Sequence, residues 1–89
     1  MIAYRVFLEE RAFKSLKQIP NPFKENILKT LRRLETSGID TRNIKKLKGY
    51  KDGYRLRVDN YRVLFVKNDE TNKTIKVYAI GHRRDVYKG

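Results

Sequence analysis

Hydrophobic and polar positions along the chain change period twice, from strand-like to helical and back. Residues 2–8, IAYRVFL, are rich in β-branched and aromatic types with no Pro or Gly, which predicts an opening strand. Leu8, Ala12, Phe13, Leu16 and Ile19 then recur at helical spacing, with Glu9 and Glu10 where a helix N-terminus favours negative charge. Pro20 stops that helix. Asn21 and Pro22 open another, since Asn caps a helix start and proline's missing N–H costs nothing in the first turn. Phe23, Ile27, Leu31 and Leu34 mark its apolar stripe, Lys24, Lys29, Arg32 and Arg33 face away, and Ser37 with Gly38 ends it.

A short link predicts that the two helices form an antiparallel hairpin whose stripes need a sheet to cover. Residues 39–53 read as a connection, carrying Leu47, Lys48 and Gly49 and closing on the turn-like Asp52 and Gly53. Alternation then returns in three stretches, 54–58 (YRLRV), 61–66 (YRVLFV) and 74–80 (TIKVYAI), with a polar loop between the last two. The expected fold is α+β: an antiparallel sheet with an N-terminal strand, a two-helix hairpin on one face, then three C-terminal antiparallel strands. No repeat or linker divides the chain, so residues 1–89 read as one domain.

Composition narrows what such a domain does. At 89 residues it buries only roughly 60–65% of the surface its unfolded chain exposes, so a large substrate meets an open face. The absence of Cys excludes disulfides, a thiolate nucleophile and Cys-type zinc sites, and a single His excludes a multi-His metal site. The carboxylates are scattered, without a clustered ligand motif, and neither a metal nor another cofactor is expected. No apolar run approaches the ~20 residues of a membrane span, so a soluble, cytoplasmic protein is expected. Twenty-two Lys and Arg against ten Asp and Glu give a net charge of +12, which a polyanion such as nucleic acid, or an acidic protein segment, would relieve. A generally basic, solvated surface is the plainer alternative.

The charge is concentrated. Arg42, Lys45, Lys46, Lys48, Lys51, Arg55, Arg57 and Arg62 face only Asp52 and Asp59 between positions 42 and 62. Strand alternation puts Tyr54, Leu56 and Val58 on one face and Arg55 and Arg57 on the other. If Asp59 and Asn60 make a two-residue hairpin turn, Arg57 stands opposite Arg62, away from the core. Opposed like charges cost a sheet up to ~1 kcal/mol, a repulsion that a bound anion turns into attraction. Arginine's planar fork holds phosphate oxygens bidentately and keeps its charge, so three arginines on an open sheet face suggest a phosphodiester site. A solvated face with splayed basic side chains is the competing reading.

The last segment, GHRRDVYKG at 81–89, adds His82, Arg83, Arg84 and Tyr87. His82 has the chemistry to move a proton near neutral pH, and guanidinium neighbours would lower the Tyr87 phenol toward a usable range. Each also has a structural reading, His82 as a hydrogen-bonded residue and Tyr87 as a core plug. Without a metal, RNA can still be cut by its own 2′-hydroxyl, an internal nucleophile that DNA lacks, so the chemistry tilts toward RNA.

Three ordered blocks, LKG at 47–49, YRLRVDNYRVLF at 54–65 and IGHRRDVY at 80–87, behind a strand and a helical pair, resemble the RelE/ParE toxin superfamily and its RelE branch. The resemblance spans essentially the whole chain and implies the microbial RNase-like fold. It implies a type II toxin that cuts messenger RNA in the ribosomal A site by 2′-hydroxyl attack, inhibiting translation, and an acidic RelB-like antitoxin that neutralises it. By matching position, Tyr87 would be the base, Arg62 and Arg83 would stabilise the pentavalent phosphate, and Arg55 and Arg57 would hold the transcript. Lys45, Lys46, Lys48 and Lys51 would add RNA contacts. The best-studied relatives have Lys where Arg55 and Arg57 stand, and arginine does not readily surrender a proton, so the general acid is left open between His82, which could supply that proton as a terminal-block His does in some relatives, and an arginine. The ParE branch, which blocks DNA gyrase without cutting RNA, and a non-catalytic RNA-binding relative are the alternatives.

Overall fold

The computed structural model describes residues 4–37, 43–47, 53–68 and 73–85. Strand β1 (Arg5–Leu8) leads into helices α1 (Glu10–Gln18) and α2 (Phe23–Ser37), followed by strands β2 (Ile44–Lys46), β3 (Gly53–Val58), β4 (Tyr61–Asn68) and β5 (Thr74–His82). The five strands form one sheet in the order β1-β5-β4-β3-β2. The architecture is the expected α+β layer pair, with two differences.

β1 runs parallel to β5, Val6 opposite Ile75 and Leu8 opposite Val77, so the sheet is mixed and only its other pairings are antiparallel. Parallel neighbours need a long crossover between them, which the two helices and three intervening strands supply. The second difference lies in the expected connection, where Ile44–Lys46 adds an edge strand to β3.

The helical stripes meet the inner sheet face as their spacing dictates. Ala12 and Leu16 from α1, Ile19 at its C-cap, and Ile27, Leu31 and Leu34 from α2 pack with Leu56, Val58, Val63, Phe65, Ile75, Val77 and Ile80. Phe13 departs from its expected place in this stripe. Its ring is 49% exposed and lies 5.0 Å from the Lys17 ammonium, because a nine-residue helix turns only Ala12 and Leu16 fully inward. The open edge of β1 is closed by α2: Tyr4 N–H donates to Leu34 O at 3.4 Å and Val6 N–H to Glu35 Oε2 at 3.4 Å.

One irregularity sets the phase of the site. The β4–β5 register slips between Leu64 and Phe65, which face Ala79 and Val77, leaving Tyr78 as an extra residue. Val77 and Ile80 are consequently both buried in the main core, while Ala79 joins Leu64 on the opposite face with Leu47 and Tyr78 packed against them.

Candidate nucleic-acid interface

The β3–β4 hairpin turns at Asp59 and Asn60, with Asp59 at φ 54°, the left-handed first position that a primed two-residue turn requires. Asn26 of α2 holds this turn, its Nδ2 donating to Asp59 Oδ2 at 3.0 Å. With the turn fixed, Val58 faces Tyr61 and Arg57 faces Arg62, as the sequence predicts.

Cross-strand partners share a sheet face, so the register sorts the candidate basic residues of β2, β3 and β4. One outer row runs Lys45, Arg55, Leu64, Ala79, and the next runs Arg57, Arg62, Gly81. Gly81 continues the Arg62 row without a side chain, leaving the face open there. Leu64 and Ala79 supply a small apolar floor beside Arg55. Sequence reasoning missed this floor because it depends on the β5 bulge.

The arginines differ in how they are held. Arg62 is only 8% exposed, and its Nη1 donates to Asp59 O at 3.2 Å and Tyr61 O at 3.0 Å, so the hairpin turn orients the guanidinium. Arg55 is half-buried and Arg57 exposed. Arg83 is exposed, and its N–H donates to Asn60 O at 2.8 Å, which carries the terminal block back to the same turn. The structure therefore brings together Lys45, Arg55, Arg57 and Arg62 on one face, with the Arg83 backbone at its margin.

Two expected participants are placed elsewhere. His82 pairs with Tyr61 in the row of Val58, on the helix side of the sheet. Its ring meets Tyr61 edge-on at 5.8 Å, Tyr61 in turn lies 5.6 Å from Phe23, and Nδ1 accepts the Arg84 N–H at 3.3 Å. Lys46 stands opposite Tyr54, also on the helix side. Tyr87, Lys48 and Lys51 lie outside the described residues.

A family profile for the ParE toxin of type II toxin-antitoxin systems, parDE, matches residues 6–87. The chain belongs to the RelE/ParE toxin superfamily. Among its relatives in this superfamily, toxin RelE3 of Methanocaldococcus jannaschii is 31% identical over 86 residues, spanning 93% of this chain and 94% of that protein. The RelB-RelE antitoxin-toxin complex of Methanococcus jannaschii matches at 28% identity and a TM-score of 0.78, over 92% of this chain and 95% of that one. The archaeal RelE-RelB complex of Pyrococcus horikoshii OT3 matches at 27% identity and a TM-score of 0.79, over 96% and 100%. This member is thus a RelE-family toxin of the type II class, with the RelE fold along nearly its whole length.

Proposed function

We propose that this toxin is a metal-independent endoribonuclease that cuts messenger RNA in the ribosomal A site. The observation that carries the reading is the direct pairing of Arg57 with Arg62 on the open sheet face, with Arg55 and Lys45 in the adjoining row. In the reaction, the ribose 2′-oxygen attacks the adjacent phosphorus, a 2′,3′-cyclic phosphate forms and the bond to the 5′-oxygen breaks. Charge builds on the phosphoryl oxygens, where fixed guanidinium groups lower the barrier. Arg62, oriented through Nη1, and Arg57 serve that charge, with Arg83 beside them. Arg55 and Lys45 hold the transcript. Tyr87, carried over from the family resemblance by its position in the sequence, would take the 2′-hydroxyl proton. Since His82 belongs to the row behind the sheet, the proton reaching the 5′-oxygen is assigned to solvent on the open face.

Induced expression followed by mapping of transcript ends on ribosomes tests the proposal. Breaks inside A-site codons are the expected result. The family profile carries the ParE name, which favours one second reading, inhibition of DNA gyrase without RNA cleavage. Relaxed plasmid accumulating without transcript breaks would establish that reading instead. Neither change would leave an RNA-binding relative.

The partner that restrains the toxin is proposed to be an acidic RelB-like antitoxin. The +12 charge supports it, as do the two archaeal RelE relatives solved in complex with RelB. Purification from the native operon should yield a complex with an acidic chain, and recovery of the toxin alone would count against the partner. A toxin that acts on ribosomes would work in the cytoplasm. Among the described residues, no helix is long and apolar enough to cross a membrane.

A further inference from the structure

Along the seam between α2 and the β2–β3 edge runs a cleft of about 90 Å³, lined by Thr30, Arg33, Leu34, Asn43, Ile44, Leu56 and Arg57. We propose that it is a subsite for one nucleobase of single-stranded RNA, next to the phosphate grip. This rests on the RNA-cleaving reading above and adds to it a place where the transcript's bases are read.

The cleft exists because β2 is short. Ile44, its first residue, stands opposite Leu56, so on its β2 side β3 has no strand partner at Arg57, which pairs only with Arg62 of β4. Helix α2 meanwhile presents Asn26, Thr30 and Arg33 at i, i+4 and i+7, one continuous stripe. The lower end of that stripe is tied to the hairpin turn by the Asn26–Asp59 hydrogen bond, and the upper end opens into the cleft. Arg57 belongs both to the paired arginines and to the cleft wall, which makes the two regions continuous.

The lining matches a base better than a bare anion. Leu34 and Leu56, each 2% exposed, and Ile44 make an apolar floor, whereas an isolated phosphate gains nothing from hydrocarbon. Arg33 and Arg57 bring charge to the walls, and guanidinium planes stack on bases. Asn43 offers an amide donor and acceptor to a base edge. Thr30 already donates its hydroxyl proton to Asn26 O at 2.8 Å, so its oxygen serves as an acceptor. The volume is below the ~150 Å³ that encloses a benzene ring, so one ring enters edge-on from the open side. An acidic protein segment would pair with the two arginines but would leave the Asn43 and Thr30 edge unread.

The test is fluorescence anisotropy with two probes of equal length and charge: a 2′-O-methyl hexaribonucleotide, which cannot attack itself, and the same backbone made abasic. Asn43 and Arg33 are exposed, so replacing them leaves the core intact. Asn43→Ala should weaken the base-bearing probe by about 5- to 100-fold, the range of a lost base contact, and leave the abasic probe unchanged. Arg33→Ala should weaken the base-bearing probe more than the abasic one. Equal losses on both probes, no loss on either, or a wild-type protein that does not distinguish the probes would overturn the subsite. Transcript cleavage on ribosomes, measured in parallel for the wild type, judges the catalytic reading separately. A wild type that cuts but shows equal probe affinities sinks the subsite alone, and one that distinguishes the probes but cuts nothing sinks the catalytic reading alone.

Discussion

Arg62 and His82 sit one row apart at the same end of the sheet, yet their surroundings assign them different work. Arg62 is nearly buried and anchored to two turn carbonyls, so the fold itself positions its fork, as the proposed role in cleavage requires. Arg62→Lys keeps the charge and loses the fork. It should lower A-site cleavage by about 10²-fold, the magnitude of a lost preorganised donor, and cost about 1 kcal/mol in urea unfolding through the released carbonyls. His82 touches Tyr61 and the Arg84 N–H behind the sheet. His82→Ala should therefore reduce cleavage less than about tenfold, whereas a residue transferring the proton would cost about 10²–10⁴-fold. A larger loss accompanied by an altered pH–rate profile would return His82 to the reaction. Lys73, at φ 49°, is a simpler case. The left-handed conformation costs a residue with a Cβ roughly 1–2 kcal/mol, and the Lys73 carbonyl that accepts the Arg5 N–H is backbone, so Lys73→Gly should stabilise the fold by about 1 kcal/mol.

At the scale of elements, the bulge in β5 explains what the sequence could and could not reveal. The helical stripes and the three C-terminal strands follow from local periodicity. The opposition of Arg57 and Arg62 follows from counting two residues across Asp59 and Asn60. His82 was not legible in this way. Alternation from Ile75 and Val77 puts residue 82 on the arginine face, but the extra residue at Tyr78 reverses every position after it. Nothing in TIKVYAIGH marks that slip, because Ala79 and Ile80 are both apolar and either could turn inward. The parallel pairing of β1 and the three-residue β2 were hidden for a related reason, since both are decided by contacts distant in sequence. The closure of β1 by α2 is another such contact. Glu35→Ala removes the acceptor of the Val6 N–H and should speed hydrogen exchange at that amide while leaving the Val63 and Phe65 amides protected. Unchanged exchange at Val6 would show that the Glu35 contact does not guard the edge.

For the whole molecule, the question is whether an excess of +12 acts as a diffuse cloud or through the outer face. Lys45 and Lys46 answer it, because they are adjacent in the chain, both exposed, and on opposite faces of the sheet. Replacing either with Gln changes the net charge equally. A diffuse field would respond to both alike, whereas a built interface releases counterions only where a cation meets a phosphate. Each phosphate contact on a single strand contributes roughly −0.7 to the slope of log K against log salt. Lys45→Gln should make that slope shallower by about 0.7 for a 2′-O-methyl oligonucleotide, as should Arg55→Gln from the same row. Lys46→Gln should leave it unchanged. Equal slopes for the two lysine variants would mean that RNA does not follow the row of Lys45 and Arg55, and the register would then cease to explain why these cations stand where they do.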